Sequence, residues 1–323
     1  MKKKIFSLIL CSVLLSGCSD NSSSYQAETT QSIIETTTST VTSITPKETL
    51  SEHTEQGTTL AMEDLFEIEL PTIDEEVIIE ETVIVDEAGI KITAKELVSG
   101  MGIFGTELKL LIENNTEKNL TVQCRDVSVN GYMINAMLSA DVASGKKAND
   151  SISFIDSDFE KSGIEDIADI EFSFHIFDSE NWDDYLDTDM IQIKTSIAEI
   201  YEYSFNHTGE LIYEGNDIKI IIKGLDESSS FLGPNIELYV ENNSEKNITV
   251  QTRDVSINGF MVTAMLSSDI TPGKHIVDEI TFINSELEEN DIQKVEEVEL
   301  SFHVFDSENW DTIIDTEIIK LNF

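Results

Sequence analysis

The chain has 323 residues and carries 63 acidic against 20 basic side chains, a formal net charge of −43. A balance this acidic argues against nucleic acid and anionic lipid headgroups as electrostatic partners, because basic patches hold both. Cysteine occurs only at positions 11, 18 and 124, which sets aside a disulfide-built scaffold.

The first element is an export leader. Lys2, Lys3 and Lys4 precede an apolar run, residues 5–15, that is shorter than the ~20 residues a membrane span needs. The run ends in Leu15-Ser16-Gly17-Cys18, which resembles the lipobox of bacterial lipoproteins. That resemblance implies cleavage before Cys18, a diacylglyceryl group on its sulfur and a membrane anchor in which each buried CH₂ adds ~0.8 kcal/mol. Cys124 is then the only cysteine of the folded part, and no intramolecular disulfide is expected.

Residues 19–59 are rich in Ser, Thr, Gln and Glu and poor in large apolar side chains. Such a stretch cannot bury enough surface to offset its ordering entropy, so it reads as a flexible tether. Residues 60–80 are both acidic and apolar and suit a short helix or strand against the domain that follows.

Residues 113–133 (ENNTEKNLTVQCRDVSVNGYM) return as 241–261 (ENNSEKNITVQTRDVSINGFM), and the same offset of 128 relates 174–193 to 302–321. A period far above the roughly 20–50 residues of solenoid repeats indicates a duplicated domain. Each copy reads as short strands between turns. In the first copy, residues 82–85 and 90–94 flank a hairpin turn, and 107–112 and 120–129 follow. Within 120–129 the apolar phase passes from even (Leu120, Val122) to odd (Val127, Val129), so a β-bulge or a strand crossing between sheets is expected near Arg125-Asp126. Asn130-Gly131 turns the chain into a strand over 132–138. Strands at 152–155 and 170–177 enclose a short helix opened by an Asp-Ser-Asp cap, and 190–194 closes the series. The fold class is therefore all-β: two tandem antiparallel β-sandwiches of Greek-key type after the tether. The boundaries are 1–17 for the leader, 18–75 for the lipidated cysteine and tether, 76–196 and 210–323 for the two repeats, and 197–209 for a junction. In that junction Ile197, Ile200, Tyr201, Tyr203 and Phe205 are expected to pack rather than swing free.

Blocks such as ENNTEKNLTVQCRDVSVNGYM, ASGKKANDSISF and IEFSFHIFDSENWD resemble a domain of lipoproteins and other exported proteins of Gram-positive anaerobes. The resemblance covers both repeats and implies an immunoglobulin-like sandwich outside the cytoplasm. It brings no catalytic residues.

The candidate site is an acidic cluster: Asp178, Glu180, Asn181, Asp183, Asp184, Asp187 and Asp189, matched by Asp306, Glu308, Asn309, Asp311, Asp315 and Glu317. Calcium takes six to eight such oxygens, although the spacing is not that of an EF-hand. The competing reading is a capped turn in which Trp182 and Trp310 bury their rings in the core. Ser173, His175 and Asp178 do not make a triad, since i and i+2 side chains of a strand stand ~6.5–7 Å apart. Cys124 is matched by Thr252, and His207 and His275 by Ile79 and Lys147, so none is kept chemistry. Arg125 and Arg253 are kept and suit pairing with the neighbouring carboxylate or with backbone carbonyls at the bulge. No cofactor is expected apart from calcium as the alternative. The expected role is non-enzymatic: a lipid-anchored, extracytoplasmic chain presenting two modules to a protein, glycan or envelope component.

Overall fold

The computed structural model describes residues 77–98, 105–227 and 232–323, all within one compact unit, Pro71–Phe323. The leader, Cys18 and the expected tether lie outside the described residues. Of the acidic-apolar segment, residues 77–80 are described. They are neither helix nor strand, with Val77 and Ile79 packed on the first core and the Ile78 N–H donated to Ser196 Oγ.

In the first repeat the elements are β1 (Thr82–Glu87), β2 (Ile90–Val98), β3 (Glu107–Asn114), β4 (Leu120–Val129), β5 (Tyr132–Met133), β6 (Ala136–Met137), β7 (Ser139–Val142), β8 (Lys147–Phe154), α1 (Asp156–Ser162), β9 (Asp169–Asp178), β10 (Asp184–Asp187) and β11 (Ile191–Lys194). The second repeat follows the same series: β12 (Glu210–Gly215), β13 (Ile218–Asp226), β14 (Asn235–Asn242), β15 (Ile248–Ile257), β16 (Phe260–Met261), β17 (Ala264–Met265), β18 (Ser267–Ile270), β19 (Lys274–Phe282), α2 (Asn284–Glu289), β20 (Glu297–Asp306), β21 (Thr312–Asp315) and β22 (Ile319–Asn322).

Each repeat is an antiparallel sandwich. One layer of the first runs β1-β2-β3-β8-β6; the other runs β10-β9-β4-β5, with β7 on β4 and β11 on β9. Alternating residues of both layers meet inside, among them Ile92, Leu110, Val122, Phe172 and Ile176, all at most 1% exposed. The β1–β2 turn puts Ala88 at φ 50° and Gly89 at φ 84°, whereas the second copy uses Asn216 at 51° and Asp217 at 59°. Two-residue hairpins require positive φ at both positions.

The expected bulge is present. β4 loses register against β9 between Arg125 and Ser128, with Asp126 at φ 54°, and β15 repeats it between Arg253 and Ser256, with Asp254 at 53°. The strand expected over 132–138 is broken instead: β5 stays beside β4 while β6 pairs with β8 in the opposite layer. Polar composition hid β7, the first half of β8 and β10. The helix forms, but Ile155 is its N-cap with no side-chain cap bond. Asp156 instead accepts the Thr106 N–H at 3.1 Å, and Asp158 accepts the Asn135 backbone and side-chain N–H at 2.9 and 2.8 Å. These carboxylates tie neighbouring loops to the helix.

The kept asparagines are buried latches. Asn114, 1% exposed, donates to the carbonyls of Lys118 and Val142, each at 2.8 Å, and accepts from Thr116. Asn242 makes the same bonds to Lys246 and Ile270. Asn130 donates to Asp166 and accepts from Ala168 and Asp169, holding the loop before β9.

Candidate functional site

The acidic cluster lies on the β9–β10 hairpin. The Asp178 N–H donates to Asp183 O and the Trp182 N–H to Asp178 O, both at 2.9 Å, closing a loop of residues 179–182. The last loop position is left-handed, and a tryptophan occupies it: Trp182 has φ 64° and its counterpart Trp310 φ 66°. A non-glycine residue there stores strain on the order of 1–3 kcal/mol.

Neither ring is buried, contrary to the expectation of a core anchor. Trp182 is 73% exposed and Trp310 74%. Each lies flat on a phenylalanine: Phe177–Trp182 centroids are 5.3 Å apart at 15°, and Phe305–Trp310 5.2 Å at 13°. Behind each phenylalanine, at 5.3 and 5.2 Å, is the imidazole of His175 or His303. The phase of β9 explains the stack. Phe172, Phe174 and Ile176 face the core, so His175 and Phe177 lie on the outer face, where β10 and the indole cover them. One face of each indole is spent on this contact and the other meets solvent.

The predicted ligands are committed elsewhere. Asp178 takes Lys118 Nζ at 3.0 Å and the Glu180 N–H at 3.0 Å. Those bonds, the backbone one foremost, hold its carboxyl below the usual range. Glu180 accepts from the Asn119 side chain at 3.1 Å, and Asn181 accepts the Asp183 N–H at 3.0 Å. Asp187 points across the sheet to His175 Nδ1 at 2.6 Å and to Arg125 at 4.0 Å. In the second copy Lys246 at 3.0 Å, then the Glu308 N–H, hold Asp306 low. There Asn309 accepts from Asp311, and Asp315 meets His303 at 2.6 Å and Arg253 at 3.5 Å. Among the described residues no group of three or more His, Cys, Asp or Glu is placed to hold a metal. The cluster is a pinned turn whose exposed carboxylates include Asp183 and Asp184, which follow the indole in sequence, Asp184 lying 3.8 Å from His175 Nε2.

Ser173, His175 and Asp178 are turned to three different partners: Asp126, Asp187 and Lys118. The kept arginine pairs with Asp187 on β10 rather than with its neighbour Asp126.

No protein-family model matches this chain, and no curated protein matches it. Among solved structures it is similar to a protein of unknown function from Porphyromonas gingivalis W83, at 10% identity and a TM-score of 0.19 over 73% of this chain and 100% of that one. A likeness at that level carries no argument about the fold or the site.

The sequence anticipated packing at the junction but not the strand residues that join the repeats. β5 touches β19 through Tyr132 and His275, and the His275 N–H donates to Gly131 O at 2.9 Å. His275 Nδ1 is 2.5 Å from Tyr239 Oη, and its ring is 3.9 Å from that of Phe205. Burial, foremost, lowers its pKa to about 4. Lys274 reaches Glu171 at 2.7 Å. Of the junction residues expected to pack, Phe205 does, and Tyr203 donates to Asp169 at 2.5 Å, but Ile200 is 80% exposed. Beside this contact is a polar cleft of about 400 Å³ lined by Cys124, Arg125 and Asp126 of one repeat and Ser268, Asp269 and Asp278 of the other. Burial pushes the Cys124 thiol up to about 11, so it stays protonated at neutral pH.

Proposed function

We propose that this chain is a lipid-anchored, extracytoplasmic binding protein whose two immunoglobulin-like modules each present one tryptophan platform to an envelope glycan. The observation that carries the reading is the pair of indoles held 73% and 74% exposed on left-handed backbone in both copies. A glycine at that position would remove the strain, and burial would reward a tryptophan; the site does neither. Strained, solvent-facing residues of this kind concentrate at ligand contacts, and tryptophan leads the residues that dominate binding energy. A flat indole would accept the C–H face of a pyranose, and the exposed carboxylates of Asp183, Asp184 and Asp311 would bond its hydroxyls. The net charge of −43 disfavours phosphate-rich polymers and favours a neutral or amino-bearing glycan. The lipid anchor rests on Leu15-Ser16-Gly17-Cys18, and nothing in this role calls for a catalytic group.

Two measurements test it. Co-sedimentation with purified envelope polysaccharide is expected for the Cys18→Ser chain and lost on adding Trp182→Ala and Trp310→Ala. Capture unaffected by both substitutions removes the platform reading. Membrane fractionation of the unaltered chain against Cys18→Ser tests the anchor.

A further inference from the structure

The turn that joins the repeats exists twice, and only one of the two is occupied. In the first repeat Asn130 (φ 50°), Gly131 (φ 83°), Tyr132 and Met133 meet the outer face of β13, β14 and β19. There Ile221, Tyr239 and Val277 are 4%, 0% and 7% exposed, and they belong to the first repeat's core cluster. In the second repeat Asn258 (φ 50°) and Gly259 (φ 84°) make the same turn. Yet Phe260 and Met261 are 47% and 67% exposed, whereas Tyr132 is 2% exposed.

The counterpart of the receiving face is on the first repeat, on β2, β3 and β8. At the matching outer positions are Lys91, Thr93, Lys109, Leu111, Lys147 and Asn149, with Lys109 and Lys147 paired to Glu107 and Glu113 of the same face and Lys146 at the edge. Four lysines, Lys91, Lys109, Lys146 and Lys147, of a chain that has 20 basic residues therefore border one sheet. The free turn is flanked by acid: Glu296 and Glu297 donate their N–H groups to Asn258, and Glu299 pairs with Ser256 in the next strand. Both partners of the Lys274–Glu171 ion pair, 13% and 20% exposed at the junction, have counterparts in Lys146 and Glu299.

We propose that copies of this chain associate head to tail, the Gly259–Met261 turn of one seating on the β2–β3–β8 face of the next as Gly131–Met133 seats on β13–β14–β19. Glu299 then leaves Lys320, 3.8 Å away, for Lys146 of the neighbouring copy. Thr93, Leu111, Lys147 and Asn149 stand where Ile221, Tyr239, His275 and Val277 make the internal contact, so the contact between copies has less apolar burial and more charge. It is weaker than the internal one and weakened further by salt. Turn and face are different surfaces, so the contact is heterologous and leaves a free end of each kind.

Sedimentation velocity of the full chain carrying Cys18→Ser, so that no acyl group drives assembly, tests this. The weight-average sedimentation coefficient is expected to rise with concentration at low salt and less so at high salt. Phe260→Asp or Glu299→Lys is expected to raise the apparent dissociation constant at least tenfold, and Lys146→Glu to restore association to Glu299→Lys. Circular dichroism melting confirms that each variant is folded. A monomer at every concentration overturns the proposal, as does association that Phe260→Asp leaves intact or a charge swap that restores nothing.

Discussion

The β9–β10 hairpin and the junction between repeats treat the duplication in opposite ways. At the hairpin the two copies share the main contacts: tryptophan on phenylalanine on histidine, Lys118 or Lys246 on the first aspartate, and His175 or His303 on Asp187 or Asp315. At the junction they diverge, with Tyr239, His275, Val277 and Phe205 standing where the first repeat has Leu111, Lys147, Asn149 and Val77. At the hairpin the shared residues include an exposed indole, and at the junction the changed residues make most of the apolar contact.

Breaking the junction should give the largest effect. Tyr239 is 0% exposed, and truncating a buried aromatic costs about 3–5 kcal/mol. Tyr239→Ala should therefore shift the urea midpoint sharply, and small-angle scattering should show the repeats reorienting. Leu111→Ala, at the matching half-buried position, should cost much less. Equal costs would erase the contrast between the copies.

Acid should act on the junction next. His275 has its pKa lowered to about 4 from 6.5, so the unfolded chain takes up a proton before the folded one does. Stability is then complete above pH 6.5 and falls as the pH drops toward 4, by up to on the order of 3 kcal/mol. Urea titrations at stepped pH check this, and His275→Phe should flatten that window. Asp178 and Asp306 act in a lower window. Their pKa values are held below 3.8, so their contribution is present above that pH and lost as the pH falls through the depressed values. His275→Phe should leave that second loss in place.

The hairpin should show the smallest change in stability and the largest in binding. Trp182→Gly relieves the left-handed strain but gives up stacking worth roughly 0.5–1.5 kcal/mol. The net change should stay within ~1 kcal/mol by urea unfolding, while glycan affinity at that site drops at least tenfold. A loss of several kcal/mol would make the indole a structural lid over Phe177.

Much of the architecture was legible in the sequence. Alternation gave the long strands, the even-to-odd phase change located the bulge at Asp126, and the exact repeat paired the two domains. Strands built on polar residues escaped, since Lys147 to Ser151 is a strand only because β3 lies beside it. The site was half legible. The 128-residue offset marked the Phe-Asp-Ser-Glu-Asn-Trp-Asp block as kept, but kept tryptophan reads as core until backbone geometry is known. A lone aromatic between acids on a four-residue loop was the available signal for an exposed ring. The junction was half legible: the apolar side chains of residues 197–209 pointed to packing, and Phe205 packs, but comparing copies discards His275, a residue that has diverged to make the contact.

The central claim is that each repeat carries one equivalent platform. Isothermal titration of the Cys18→Ser chain with a soluble fragment of the bound polysaccharide tests it most directly. Two sites per chain are expected, one after either Trp182→Ala or Trp310→Ala, and none after both. A stoichiometry that neither substitution changes would contradict it.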